Sequence, residues 1–193
     1  MDTTRFEIGQ DGVARLQTSK GVLMVDADDL GVFGGSSKIK IKKRRTGPLS
    51  YVADMWSSGN PCKRIGYVSR LIMDAPVNME VDHINHDTLD NRRCNLRVCT
   101  RSENRRNGRK QRQSNGRFKC VVYHPAKKYN PNSSEAKPWR AYTRVMGKRI
   151  WLGYYATDID AAMAYNRYAA KEFGEFACFN RFDKCPAIEA ICA

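Results

Sequence analysis

Acidic residues are scarce in this 193-residue chain: 20 Asp and Glu stand against 34 Lys and Arg, a formal charge of +14. That balance suits a polyanionic partner, because Lys and Arg bind phosphates and displace their counterions. Long apolar runs are missing as well. None is long enough to cross a bilayer, and the opening Met1-Asp2-Thr3-Thr4-Arg5-Phe6-Glu7 has no apolar stretch of the signal-peptide kind, so export is not expected. No Cys-x-x-Cys pair occurs among the seven cysteines at 62, 94, 99, 120, 178, 185 and 192, which argues against a zinc ribbon. Their odd number and scatter fit reduced structural thiols in a cytoplasm. No internal repeat is present. No long amphipathic helix with a broad apolar face accompanies the basic segments, so a membrane surface is a poor partner for them.

What the chain does contain is concentrated in one stretch. Val81-Asp82-His83-Ile84-Asn85-His86-Asp87 leads to Asp90-Asn91-Arg92-Arg93, Asn95-Leu96-Arg97, Arg101 and Ser102-Glu103-Asn104. Asn95 lies twelve residues after His83, and Asn104 nine after that. Singly these are ordinary residues: an Asp-His dipeptide is usually surface sequence, and Asn is common in loops and caps. Local patterning makes them a unit. Glu80 to Ile84 reads as a short strand, and Asn95-Leu96-Arg97-Val98-Cys99 alternates as a half-buried strand should. Thr100 and Glu103 have the spacing of a capping box, so a helix is expected through Asn104 to about Asn107.

The residue types and spacing resemble the HNH homing endonucleases in their His-Asn-Asn form. The resemblance implies a ββα-metal hairpin at about residues 80–106 and hydrolysis of DNA phosphodiesters. It implies Asp82 and Asn104 as oxygen ligands of one Mg²⁺ (or Mn²⁺) per site, with no zinc and no other small-molecule cofactor. His83 is implied as general base, suited by its ordinary pKa near ~6.5, and Asn95 as the residue that holds the loop and orients it. His86 falls outside the matched positions and either touches DNA or tunes the site, or else is a solvated loop residue. From Asn91 to Arg112 there are nine basic residues and one acid, Glu103. Arg92, Arg93, Arg97, Arg101, Arg105 and Arg106 are therefore expected to meet DNA.

The last third carries a second pattern. Residues 117–123, 139–146 and 149–155 read as three strands rich in aromatic and β-branched residues, with Gly147 at the second turn. Thr157 can cap a helix running to about Phe173, with Gly174 as its stop. On the middle strand Arg140, Tyr142 and Arg144 share one face, and Ala141, Thr143 and Val145 the other. The sequence Lys137-Pro138-Trp139-Arg140-Ala141-Tyr142 and Trp151-Leu152-Gly153-Tyr154-Tyr155, with Ala161-Ala162 and Ala164-Tyr165-Asn166 after it, resembles the ethylene-response-factor (APETALA-type) DNA-binding domain over residues 114–180. The resemblance implies a sheet laid in the major groove, with Lys119, Arg144, Arg149 and Trp151 at contact positions, and Arg117, Arg140 and Tyr142 beside them. Trp139 is expected mainly to pack, and Trp151 either to pack or to touch DNA. His124 reads as a strand-end residue. Val122 and Tyr142 depart from the family pattern, and the connection from Ala126 to Lys137 is longer than usual.

The remainder is less legible. Val13–Leu16 and Val22–Val25 suggest strands, and Asp26–Leu30 the start of a brief helix. A hairpin is expected from Tyr51-Val52-Ala53 to Gly66–Met73, with Ser69 where the HNH relatives commonly have His. Lys38–Arg45 is either an exposed edge strand or a DNA-reaching arm. The resulting expectation is an α+β protein: a nuclease domain at 1–106, a basic linker at 107–116, a DNA-binding domain at 117–180 and a tail at 181–193 that docks through Ile188 and Ile191. Its expected function is that of a monomeric, metal-dependent nuclease of the homing type that nicks double-stranded DNA in a bacterial or phage-infected cytoplasm. Two other readings compete: a regulator that binds DNA with an inactive nuclease domain, and an RNA-binding protein whose aromatic sheet stacks bases.

Overall fold

The computed structural model describes residues 6–18, 21–33, 37–43, 51–57, 64–110, 116–124 and 137–182. The linker between 111 and 115, most of the 126–137 connection, Arg44, Arg45 and the Ile188/Ile191 tail lie outside them. The chain divides into two compact units, Met1–Arg105 and Arg106–Ala193. Helices and antiparallel strands mix in both, as an α+β fold requires.

In the first unit, β1 (Glu7–Ile8), β2 (Val13–Thr18) and β3 (Gly21–Asp26) form one antiparallel sheet. Its alternating side chains bury Ala14, Leu16, Leu23 and Val25. The chain then turns through a 3-10 segment, Ala27–Phe33, where a brief helix was expected. A second sheet contains β4 (Ser37–Lys43), β5 (Tyr51–Ser57) and β6 (Arg64–Tyr67) in that order, so the basic run through Lys43 is an edge strand. The expected strand over Gly66–Met73 stops at Tyr67. Val68–Ile72 is instead α1, because Val68, Leu71 and Ile72 recur at helical spacing and turn toward the core. The backbone then crosses a turn in which the Arg70 guanidinium donates to the carbonyls of Met79, Ala75 and Pro76.

Next come β7 (Glu80–His83), a 3-10 turn (Arg93–Asn95), β8 (Leu96–Cys99) and α2 (Arg101–Asn107). The two strands pair antiparallel, with Asp82 opposite Arg97 and His83 opposite Leu96. Leu96 enters the same core as Ala14, Leu23, Val25, Val68 and Ile72, so the hairpin is not an appendage. At α2 the capping box forms as patterned. Thr100 Oγ1 accepts from the Glu103 amide at 3.3 Å, and the Glu103 carboxylate accepts from the Thr100 amide at 2.8 Å.

In the second unit, β9 (Val121–Tyr123), β10 (Trp139–Val145) and β11 (Lys148–Tyr155) make a sheet in the order β11-β10-β9, backed by α3 (Asp158–Phe173). Thr157 Oγ1 caps α3 by accepting from the Asp160 amide at 3.1 Å, and Gly174 ends it with φ 50°. Ala161, Ala162, Ala164 and Ala169 let the helix lie close on Val121, Ala141 and Leu152. The first strand is shorter than expected: 117–120 is a bend and turn, with Cys120 at φ 59°. Trp139 packs against this core and meets the Tyr123 ring at 5.0 Å, in line with a packing role. His124 follows β9, its amide donating to the Pro138 carbonyl at 2.9 Å.

Candidate functional site

Strand period decides which side chains of β7 can act together. Glu80 and Asp82 are two apart and project to one side; His83 projects to the other. Asp82 is buried, at 6% exposed, and its Oδ2 accepts from Arg97 Nε at 3.0 Å and from Arg97 Nη2 at 2.7 Å. Glu80 Oε2 accepts from Asn104 Nδ2 at 2.6 Å. The capped first turn of α2 thus brings Asn104 back onto β7, with the amide oxygen as its remaining polar atom. Glu80 was not among the expected site residues. Its position two before Asp82 was the available signal.

The loop between the strands is built from short polar side chains that substitute for sheet hydrogen bonds. Asn95 lies at the end of the 3-10 turn rather than in β8, and is buried. Its Oδ1 accepts from the Asn85 amide at 3.0 Å, and its Nδ2 donates to the Asp90 carbonyl at 2.8 Å, so one side chain spans the loop. Asn85 Oδ1 and Asp87 Oδ1 accept from backbone amides two residues on, at 2.7 and 3.0 Å. His86 sits in this turn at φ 66°. On the far side, His83 Nε2 lies 3.3 Å from Asn91 Oδ1.

The loop is also tied to the N-terminal sheet. The Met24 amide donates to the Leu89 carbonyl at 2.9 Å, and the Asn91 amide to the Met24 carbonyl at 2.8 Å. This extends the sheet by one parallel bridge at the open edge of β3. Gly21 approaches Leu89 so closely, at φ 132°, that a β-carbon would come within 2.9 Å of a Leu89 methyl.

Three arginines of the basic stripe meet carboxylates within the chain. Arg92 forms a bidentate pair with the buried Asp90 at 2.8 Å. Arg93 holds Asp29 at 2.7 Å while also donating to the Ile72 carbonyl. Arg97 holds Asp82. These three arginines are committed to carboxylates because the loop and strand would otherwise bury unpaired anions. Burial alone would raise the Asp90 carboxyl, but the Arg92 hydrogen bonds outweigh it and hold the carboxyl below its ordinary range. Arg101 and Arg105 are exposed on α2, whereas the Arg106 guanidinium stacks 4.8 Å from the Phe173 ring centre.

On the second unit's sheet, Ala141 and Thr143 are buried toward α3 and Arg140, Tyr142 and Arg144 face away, as alternation required. A bulge breaks the register of β11: Tyr142 pairs with Trp151 and Ala141 with Gly153, leaving Leu152 over. Gly153 takes φ 140°. The bulge reverses parity, so Tyr154 joins Arg149 and Trp151 on the outer face. Arginines and rings interleave there. Arg140 lies 4.8 Å from the Tyr154 ring and 5.6 Å from Trp151, and Arg149 lies 4.6 Å from Tyr142 and 5.3 Å from Trp151.

Tyr154 could not be assigned from alternation alone, because nothing but Gly153 hinted at the bulge. Two further expected contacts lie in the bend and turn before β9. Lys119 turns inward, donating to the Arg106 carbonyl at 2.6 Å beside the Tyr165 ring, and burial holds its ammonium pKa below the usual value. Arg117 precedes the strand and stacks on Phe118.

Among the described residues no three His, Cys, Asp or Glu side chains cluster as a metal cage. The oxygen donors at β7 and α2 are two carboxylates and one amide, a set whose chemistry fits a hard divalent cation. Cys94, Cys99, Cys120 and Cys178 are all free thiols. No helix among the described residues is long and apolar enough to cross a membrane.

Residues 74–106 match the family model of the HNH endonucleases. The match covers β7, the polar loop, β8 and nearly all of α2. It supports an HNH nuclease domain in that segment, and with it a DNA-cleaving activity and DNA as substrate. HNH nucleases typically use a divalent metal. No curated protein and no solved structure gives a significant match to the chain.

Proposed function

We propose that the chain is an HNH endonuclease of the homing type: residues 1–106 cut one DNA strand at a time, and an ethylene-response-factor-like module at 117–180 selects the site. The observation that carries this reading is the return of Asn104 to β7. A helix side chain twenty-four residues away in sequence meets the strand beside Asp82, while Asn95 pins the loop that follows His83.

Asp82 and Asn104 would hold one divalent cation, Mg²⁺ or Mn²⁺, with Glu80 beside them. That ion supplies neutralisation of the scissile phosphate and of charge on the leaving oxygen. The chain's own residues do the rest. His83 accepts the proton of the attacking water. Asn95 fixes the loop, so that His83 keeps its direction as the phosphate changes geometry. Arg97 pairs with Asp82 and balances its charge within the hairpin.

The outer face of β10 and β11 supports DNA recognition by the second unit. Arg144 and Arg149 are directly opposite one another and both exposed, an arrangement that costs stability unless an anion lies between them. Arg140 and Arg149 are held over Tyr142, Trp151 and Tyr154, which orders their planar forks before contact. Arg101 and Arg105 remain as phosphate contacts of the nuclease domain.

The test is nicking of supercoiled plasmid carrying candidate targets, in Mg²⁺ at low salt, with EDTA as control. Wild type should give open-circle product and His83→Ala should not, a loss on the order of 10²- to 10⁴-fold. Duplex shifted in a gel by wild type without any cleavage would instead favour a DNA-binding regulator.

A further inference from the structure

We infer that Asn91 is a positioning residue for His83, fixing which ring nitrogen can accept a proton, and that β3 of the N-terminal sheet holds Asn91 for this purpose. The inference rests on the nuclease reading above and goes beyond it, since that reading gives no role to Asn91 or to residues 13–33.

The geometry is specific. His83 Nε2 faces Asn91 Oδ1 at 3.3 Å. An amide oxygen only accepts, so Nε2 must carry the hydrogen, and the lone pair of the neutral ring is then on Nδ1. The amide could be turned about, but its other end is accounted for: Nδ2 donates to the Thr88 carbonyl at 3.3 Å. Reversal would set the amide oxygen against the Thr88 carbonyl, two acceptors with no hydrogen between them. Asn91 is 2% exposed, so water does not readily substitute for these partners.

The backbone of Asn91 is held equally firmly. Its amide donates to Met24 of β3, the Met24 amide holds Leu89, and the Arg93 amide donates to Asp26 Oδ2 at 2.8 Å. Three hydrogen bonds from one strand and its end therefore bracket residues 89–93. The N-terminal sheet, which carries no residue of the motif, is the support that keeps the base in one tautomer.

Nitrogen-15 NMR of the histidine rings tests this without requiring cleavage. The chain has three histidines, so comparison with His83→Ala assigns the signal. Wild-type His83 should be the Nε2–H tautomer when neutral. In Asn91→Ala that preference should be lost and kcat should fall by roughly 10- to 100-fold with KM for DNA unchanged, the usual scale for removing a partner that orients a histidine. Asn91→Asp, which keeps an accepting oxygen, should restore the tautomer and part of kcat. An Nδ1–H tautomer in a wild type that cleaves DNA overturns the inference and leaves the nuclease reading standing. So does Asn91→Ala with unchanged tautomer and kcat. Wild-type protein that never cleaves, whatever its tautomer, overturns the nuclease reading, and the positioning role falls with it. Should Asn91→Ala fail to fold, the wild-type tautomer and Asn91→Asp still decide.

Discussion

Asn95 shows how much one short amide side chain can organise. It is buried, uses both its donor and its acceptor on backbone groups ten and five residues away, and leaves none of those groups to water. Asn95→Ala removes both partners at once. It should cost about 2–4 kcal/mol in urea unfolding, because the Asn85 amide and Asp90 carbonyl lose their bonds in a site where replacement is poor. Asp90 makes a second prediction possible. Its carboxyl lies lower in the folded protein than in the unfolded chain, so the unfolded state binds more protons as pH falls. The stabilisation is therefore present above about pH 4 and is lost below it, as pH drops through the folded value. Asp90→Asn should flatten that part of the stability-versus-pH curve in acid denaturation, besides lowering stability at neutral pH.

Among the elements, the capped helices followed directly from sequence, since Thr100/Glu103 and Thr157/Gly174 act within a few residues of themselves. The edges of strands followed less well. Tyr67 ends β6 because Val68 and Ile72 gain more by turning together into the core than by continuing a strand. The bulge in β11 is the sharpest case. Gly153 holds φ 140°, and a β-carbon there would lie 2.8 Å from the Tyr155 hydroxyl. Gly153→Ala should therefore cost roughly 1–3 kcal/mol through backbone strain, seen as a lower Tm. If the outer face reads DNA, the same variant should weaken duplex binding in fluorescence anisotropy by displacing Trp151 and Tyr154. Equal affinity would separate that face from DNA contact.

For the whole molecule, net charge alone forecasts salt sensitivity. With +14 on the chain, duplex binding should weaken steeply as salt rises from roughly 50 to 200 mM, by on the order of 10³-fold for about six phosphate contacts. A titration showing less than tenfold change would mean that few of these charges meet phosphate. Arg92, Arg93 and Arg97 should contribute little to that slope, because their charge is already answered by Asp90, Asp29 and Asp82. Arg101→Ala with Arg105→Ala should lower it measurably.

The spacing of Asp82, His83, Asn95 and Asn104, the helix caps and the alternation of β10 were legible in the chain because each depends on chemistry or periodicity over short distances. The pairing of Arg93 with Asp29, sixty-four residues apart, was not. Neither were the docking of Asn91 on Met24, the inward turn of Lys119 and the parity change that exposes Tyr154. A run of arginines reads the same whether its partners are phosphates or carboxylates from another strand. Only folding brings Asp29 and Asp82 into position, and burying such carboxylates is costly enough that a nearby guanidinium is claimed before any ligand arrives.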